Sequence, residues 1–413
     1  MGLLENVFST YHLHIKCIYI FRQLNFKNVT DLLSEFKLKN VNLEGILIND
    51  KLYLRLEDSM ANNINSYHEQ MKIEYTEKLR DILSTMPSFC KDFFRAIDQT
   101  SSAKTKLSYA YDIRLFFNFI VETNPLYKDC KLTDLKLDML NNIKVQDIIE
   151  YQEYLKLYNS GDNKKVTNTE LGVSRKLSAL RSFLNYYYKH EYIDSNPAML
   201  ITMPKIHEKA IIRLDADEVA SLLDYIEECS DSLTEHQKVY YNITKYRDLA
   251  IVTLLLGTGI RVSELVGLDL QHIDFKNNGI TVTRKGGNQM IVYFGDEVCD
   301  VLTNYIENVR STITPVKGHE NALFLSMQKK RISVRAVEDL VKKYAKAIVP
   351  YKKITPHKLR STYGTALYRE TNDIYLVADV LGHKDVNTTR KHYADMEDSN
   401  RRKAARVVKL REE

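Results

Sequence analysis

Tryptophan is absent from the 413 residues, and glycine (14), proline (7) and cysteine (5) are few. So little glycine and proline leaves room for few tight turns, which argues for a mainly helical chain. The five cysteines, Cys17, Cys90, Cys130, Cys229 and Cys299, are widely spaced and form no Cys-x-x-Cys pair. A disulfide framework and a zinc knuckle are thereby excluded, and a reducing, cytoplasmic setting is expected. Long apolar runs are missing too. The longest, residues 250–256, falls far short of the ~20 residues that a bilayer requires. His12, His14, Lys16 and Arg22 interrupt the apolar residues at the N-terminus, so no signal peptide is expected either. A strong excess of one charge is also lacking: the net charge of +5 permits a polyanionic partner without requiring one.

What is present is an ordinary folded composition, 44% hydrophobic and 27% charged, with 27 tyrosines. The length suggests two or three domains at roughly 100–200 residues each. From Thr105 onward, Leu107, Tyr111, Leu115, Phe116 and Phe119 recur at helical spacing. A polar stretch, 159–165, precedes a second helical pattern over 174–188. Its apolar face is Leu177, Leu180, Phe183, Leu184 and Tyr187, and Arg175, Lys176 and Arg181 lie off that face. Asn196-Pro197 breaks the pattern, and the connector 204–209 marks the main boundary. Three parts follow: an N-terminal extension (1–85) holding a Glu- and Lys-rich helix over 56–86, a helical domain (86–205), and a larger C-terminal domain (206–413). Asp215 and Glu218 form a D-x-x-E helix start. Strands are expected at 272–275, 280–284 and 290–294, joined by Asn277-Asn278-Gly279 and Gly286-Gly287-Asn288. The fold class is therefore mainly α with one small antiparallel β-sheet.

Four segments of the C-terminal half make polar groups available. In the first, a buried helix ends at Gly257 or Gly259, and Ser263 can cap the helix after it. Arg261 then sits in the turn, beside a helix N-terminus suited to an anion. The second is a hairpin tip, Thr283-Arg284-Lys285, where a lysine can act as phosphate ligand or proton donor. In the third, Thr355 and Pro356 occupy N-cap and N1 positions. His357 and Arg360 follow at i, i+3 spacing on one face of the first turn. In the fourth, Gly382 is a helix C-cap followed by His383, with Tyr393 ten residues further on. A phenol with a pKa of about 10 needs nearby cations to act as a nucleophile. Taken singly, each segment also has a plain structural reading.

Together and in this order, GTGIRVSELVGL, TPHKLRSTYGT and LGHKDVNTTRKHYA, with a lysine-bearing hairpin between the first two, resemble the tyrosine recombinase (phage integrase/Xer) family. The resemblance covers roughly residues 100–405, including RKLSALRSFLNYYYKHEYIDSNPA, which looks like the end of the family's helical, SAM-like core-binding domain. It implies that Arg261 and Arg360 bind the scissile phosphate and that Lys285 protonates the leaving 5′ oxygen. His357 and His383 would assist proton transfer, and Tyr393 would form a 3′-phosphotyrosyl bond. No cofactor or metal is implied. Glu264, beside the first arginine, would be structural support. The implied partner is double-stranded DNA, gripped between two domains by a homotetramer on paired sites, with an accessory DNA-bending or directionality factor as a further expectation. Arg175, Lys176 and Arg181 are candidate DNA-backbone contacts, with a solvated basic face as the alternative. The interval from His383 to Tyr393 is one residue longer than the Xer pattern and closer to mobile-element integrases. The basic tail 399–413 would dock as a helix on a neighbouring subunit. A catalytically inactive DNA-binding protein of the same fold is the competing expectation. Integration, excision, inversion and resolution stay open as the biological reaction.

Overall fold

The computed structural model describes residues 67–128, 130–159, 165–206, 212–228, 234–284, 287–382 and 385–386. By contacts the chain divides into two compact units, Met1–Ile64 and Asn65–Glu413. Lys285, His383, Tyr393 and the basic tail lie outside the described residues, as does the first unit.

Helix α1 (Tyr67–Ser84) is followed by α2 (Cys90–Ala96), α3 (Ala103–Thr123), α4 (Met139–Asn142), α5 (Val145–Tyr154) and α6 (Glu170–Lys189). Ser102 starts α3 by accepting from the Thr105 N–H, and Thr169 starts α6 by accepting from Gly172. These helices enclose one apolar core, to which α3 gives Ile113, Phe116, Phe117 and Ile120, and α6 gives Leu177, Leu180, Phe183, Leu184 and Tyr187. The whole apolar face read for α6 is thus buried. On α3, by contrast, Tyr111 is 47% exposed while Ile113 is fully buried. A tyrosine satisfies an apolar pattern without needing burial, because its hydroxyl prefers water. Helix α1 contributes Leu79 and Ile82 to this core, so the helical layer begins inside the segment assigned on sequence to the N-terminal extension. The polar stretch 159–165 is flanked by two short strands, β1 (Leu157–Asn159) and β2 (Lys165–Thr167), which pair antiparallel.

A second apolar core begins at Leu214. Around it lie α7 (Ala216–Glu228), α8 (Glu235–Thr258), α9 (Val262–Val266), α10 (Asp296–Asn308), α11 (Val334–Ile348), α12 (Pro356–Thr371) and α13 (Ile374–Leu381). The D-x-x-E start of α7 forms as read: the Asp215 N–H donates to Glu218 Oε2 at 2.8 Å. Between α9 and α10 lies an antiparallel meander of β3 (Ile273–Asp274), β4 (Gly279–Thr283) and β5 (Gln289–Tyr293), in that order across the sheet. Among the described residues no helix is long and apolar enough to cross a membrane.

Candidate active site

Four chain segments meet at the C-terminal end of α13. Helix α8 stops at Thr258 because Gly259 turns left-handed (φ +63°), a conformation in which a side chain is strained. The next helix, α9, has Arg261 rather than Ser263 as its N-cap. The reason is Glu264. Its buried carboxylate (4% exposed) accepts from the Arg261 main-chain N–H at 2.9 Å and from Arg261 Nη1 at 2.8 Å. One acidic side chain therefore caps the helix and aims the arginine. Arg261 Nη2 reaches the Gly382 carbonyl at 3.2 Å, and its side chain stays 36% exposed.

Helix α12 starts as read, with Thr355 at N-cap and Pro356 in the first turn. His357 and Arg360 differ in burial: His357 is exposed, and Arg360 is 4% exposed. Arg360 Nη1 donates to the Gly259 carbonyl and Nη2 to the Leu381 carbonyl. Gly382 is the left-handed C-cap of α13 (φ +61°), as read.

A third guanidinium, Arg284 directly after β4, reaches the same place. Its Nη1 donates to the Leu381 carbonyl at 2.5 Å and its Nη2 to the Val380 carbonyl at 2.9 Å. Burial, and after it the repulsion of Arg261, lowers its pKa from the usual arginine value, while Glu264 and Asp379 oppose the shift. It nonetheless keeps its charge. Nothing local in the sequence separated Arg284 from a solvated turn residue. Three arginines thus meet the carbonyl-rich, negative end of one helix, where cations are favoured. Such a cluster, with Arg261 and Arg284 part-exposed and Arg360 buried, suits an anion bearing several oxygens. Among the described residues no group of three or more His, Cys, Asp or Glu could hold a metal ion.

Arg175, Lys176 and Arg181 lie on α6, apart from this cluster, and all three are engaged by protein acceptors. Arg175 pairs both Nη atoms with the buried carboxylate of Asp112 on α3, with Nη2 to Oδ1 at 2.9 Å, and Nη1 also donates to Ser108 Oγ at 2.7 Å. Lys176 Nζ donates to Asn168 Oδ1 at 3.2 Å and lies 3.9 Å from Asp112. Arg181 donates to the carbonyls of Ala198 (2.9 Å) and Ile201 (3.1 Å), tying α6 to the chain that leaves the helical layer.

Residues 212–400 match the model of the phage integrase family. The chain is 33% identical over 323 residues to the tyrosine recombinase XerC of Caldanaerobacter subterraneus subsp. tengcongensis, covering 76% of this chain and 83% of that protein. The chain belongs to the tyrosine recombinase family. It is also 31% identical over 342 residues to the tyrosine recombinase XerS of Lactococcus lactis subsp. lactis, covering 77% of this chain and 93% of that protein. Among solved structures, the Tn1549 transposon integrase in complex with transposon right end DNA shares the fold, with a TM-score of 0.55, 22% identity and coverage of 77% and 98%. A lambda integrase dimer bound to a COC′ core site does so at a TM-score of 0.50, 16% identity and coverage of 73% and 92%. The chain is a site-specific tyrosine recombinase with a helical fold carrying small antiparallel sheets.

Proposed function

We propose that this recombinase acts on double-stranded DNA with Arg261 and Arg360 on the scissile phosphate and Tyr393 as nucleophile. The phenol gives up its proton to a histidine, and its oxygen bonds to phosphorus as the bond to the 5′ oxygen breaks. Lys285 protonates the departing oxygen, leaving a 3′-phosphotyrosyl bond and a free 5′ hydroxyl. One phosphodiester is exchanged for another, so rejoining to a new 5′ hydroxyl consumes neither ATP nor a metal. The guanidiniums neutralise charge that grows on the phosphoryl oxygens in the transition state. His357 and His383 hydrogen-bond the phosphate and assist the proton transfers. In this reading four protomers on two DNA sites act in pairs, and Arg175, Lys176 and Arg181 serve as ties within the helical layer.

The observation that carries this reading is the meeting of Arg261 and Arg360 at the Leu381–Gly382 corner, one residue before His383. A nicked suicide duplex tests it. From a pool of such duplexes of randomised sequence, the wild-type chain is expected to recover members as adducts that survive a denaturing gel. Tyr393→Phe should form none. Retarded duplex without any adduct would mark the chain as a DNA-binding protein that lacks the chemistry.

A further inference from the structure

Arg284 has no part in the mechanism above, yet it is bound at both ends. Its main chain closes the turn after β4: the Arg284 N–H donates to the Asn288 carbonyl at 2.8 Å, and the Gly287 N–H donates to the Arg284 carbonyl at 3.0 Å. Its side chain crosses to α13 and takes the carbonyls of Val380 and Leu381. The passage depends on Gly382, because a Cβ there would lie 1.5 Å from Arg284 Nη1. Arg284 Nε is buried and unpartnered, so the guanidinium presents no further donor to solvent through that atom. Both Nη groups point at protein carbonyls. With its main chain in the turn and its side chain on the last carbonyls of α13, Arg284 ties the two together.

The neighbours in sequence give the tie its consequence. Lys285 follows Arg284 directly, and His383 follows Gly382 directly. The carbonyl of Leu381 is shared by Arg284 and Arg360. One corner therefore fixes the chain next to the lysine, the chain next to a histidine, and a phosphate-binding arginine.

We propose that Arg284 is a positioning residue of the recombination reaction, tying the turn that carries Lys285 to the Leu381–Gly382 corner so that the lysine reaches the leaving oxygen. The proposal rests on Lys285 being the general acid. Arg284 touches no reacting atom; it acts through where it holds the chain.

The test uses a duplex recovered by covalent capture on the wild-type protein, made with either the ordinary 5′ oxygen or a bridging sulfur at the scissile phosphate. A thiolate leaves without a proton, since thiols ionise near pH 8.5, so the sulfur duplex bypasses the acid. Arg284→Ala should slow adduct formation on the oxygen duplex by roughly 10- to 100-fold, the scale of a misplaced catalytic group. It should bind the duplex as wild type does in a gel shift and recover its rate on the sulfur duplex. Arg284→Gln, which keeps one donor, should lie between wild type and Arg284→Ala and show the same recovery. That variant decides the matter if Arg284→Ala fails to fold. Equal slowing on both duplexes, or none on oxygen, overturns the proposal. Lys285→Ala separates the two levels of the argument: without sulfur rescue of this variant, the general-acid assignment falls and the proposal falls with it. If Lys285→Ala is rescued and the Arg284 variants are not, the proposal alone is wrong.

Discussion

Arg360 is 4% exposed, and a guanidinium cannot shed its charge to escape burial. Its placement is tolerable because it donates to two carbonyls that terminate different helices, Gly259 after α8 and Leu381 at the end of α13. Truncation would remove the charge and also deprive buried acceptors of a donor, and the second effect is the costly one. Arg360→Ala is therefore expected to destabilise the fold by about 1–3 kcal/mol in urea unfolding, besides abolishing adduct formation. Arg360→Lys keeps the charge with a single ammonium that cannot span both carbonyls. It should recover part of the stability and little of the cleavage. A variant as stable as wild type would mean that the two carbonyls find other donors without cost.

At the scale of elements, what was legible in the sequence is what local chemistry writes. Thr355-Pro356 starts α12, Gly382 ends α13 and Asp215 with Glu218 opens α7, because caps and left-handed turns are decided within four or five residues. The three-stranded meander was legible for the same reason, its turns being marked by asparagine and glycine. The β1–β2 hairpin was not, since strands of three residues carry too little alternation to stand out. The partners of basic residues were illegible altogether. Arg175 meets Asp112 from 63 residues away, and Arg284 meets Leu381 from 97. A helical wheel says which side a residue occupies and nothing about what will pack there. Glycine shows the same division. Gly259 was legible as a helix end, but a Cβ there would lie 2.4 Å from Tyr363 Cδ1 and 3.0 Å from Leu381 Cδ2, which only packing reveals. Gly259→Ala should thus lower stability by about 1–3 kcal/mol through strain at a left-handed position, with the clash adding to that cost. Adding Tyr363→Ala removes the nearest clash and leaves the strain. Thermal melts of the single and double variants should therefore show a partial and not a complete recovery of what Gly259→Ala costs.

At the scale of the whole described chain, two apolar cores are linked through α1, which buries Leu79 and Ile82 in the first and packs Tyr67 against the second. The link at the second core centres on Arg331. Its guanidinium lies 5.2 Å over the Tyr67 ring and donates to the carbonyls of Val266 (3.0 Å) and Leu268 (2.9 Å) as well as to Asp269. Two imidazoles flank this cation. Burial, and then Arg331, hold His68 below its usual pKa of 6.5, with His272 adding to the effect and Glu264 and Asp269 opposing it. His319 is held below 6.5 in the same way, by burial, Arg331 and Lys330 against Glu320. An imidazole with a depressed folded pKa binds fewer protons in the folded chain than in the unfolded one. Its contribution to stability is present above pH 6.5, is lost as the pH falls from there toward the folded pKa, and changes no further below that. The thermal midpoint should therefore drop between pH 7 and pH 5 by more than carboxylate protonation alone would cause. The double variant His68→Gln, His319→Gln should flatten the drop while leaving the midpoint at pH 7.5 nearly unchanged, because glutamine is neutral like the imidazoles it replaces there. A slope that persists in the double variant would place the acid sensitivity elsewhere and leave the Arg331 junction indifferent to pH.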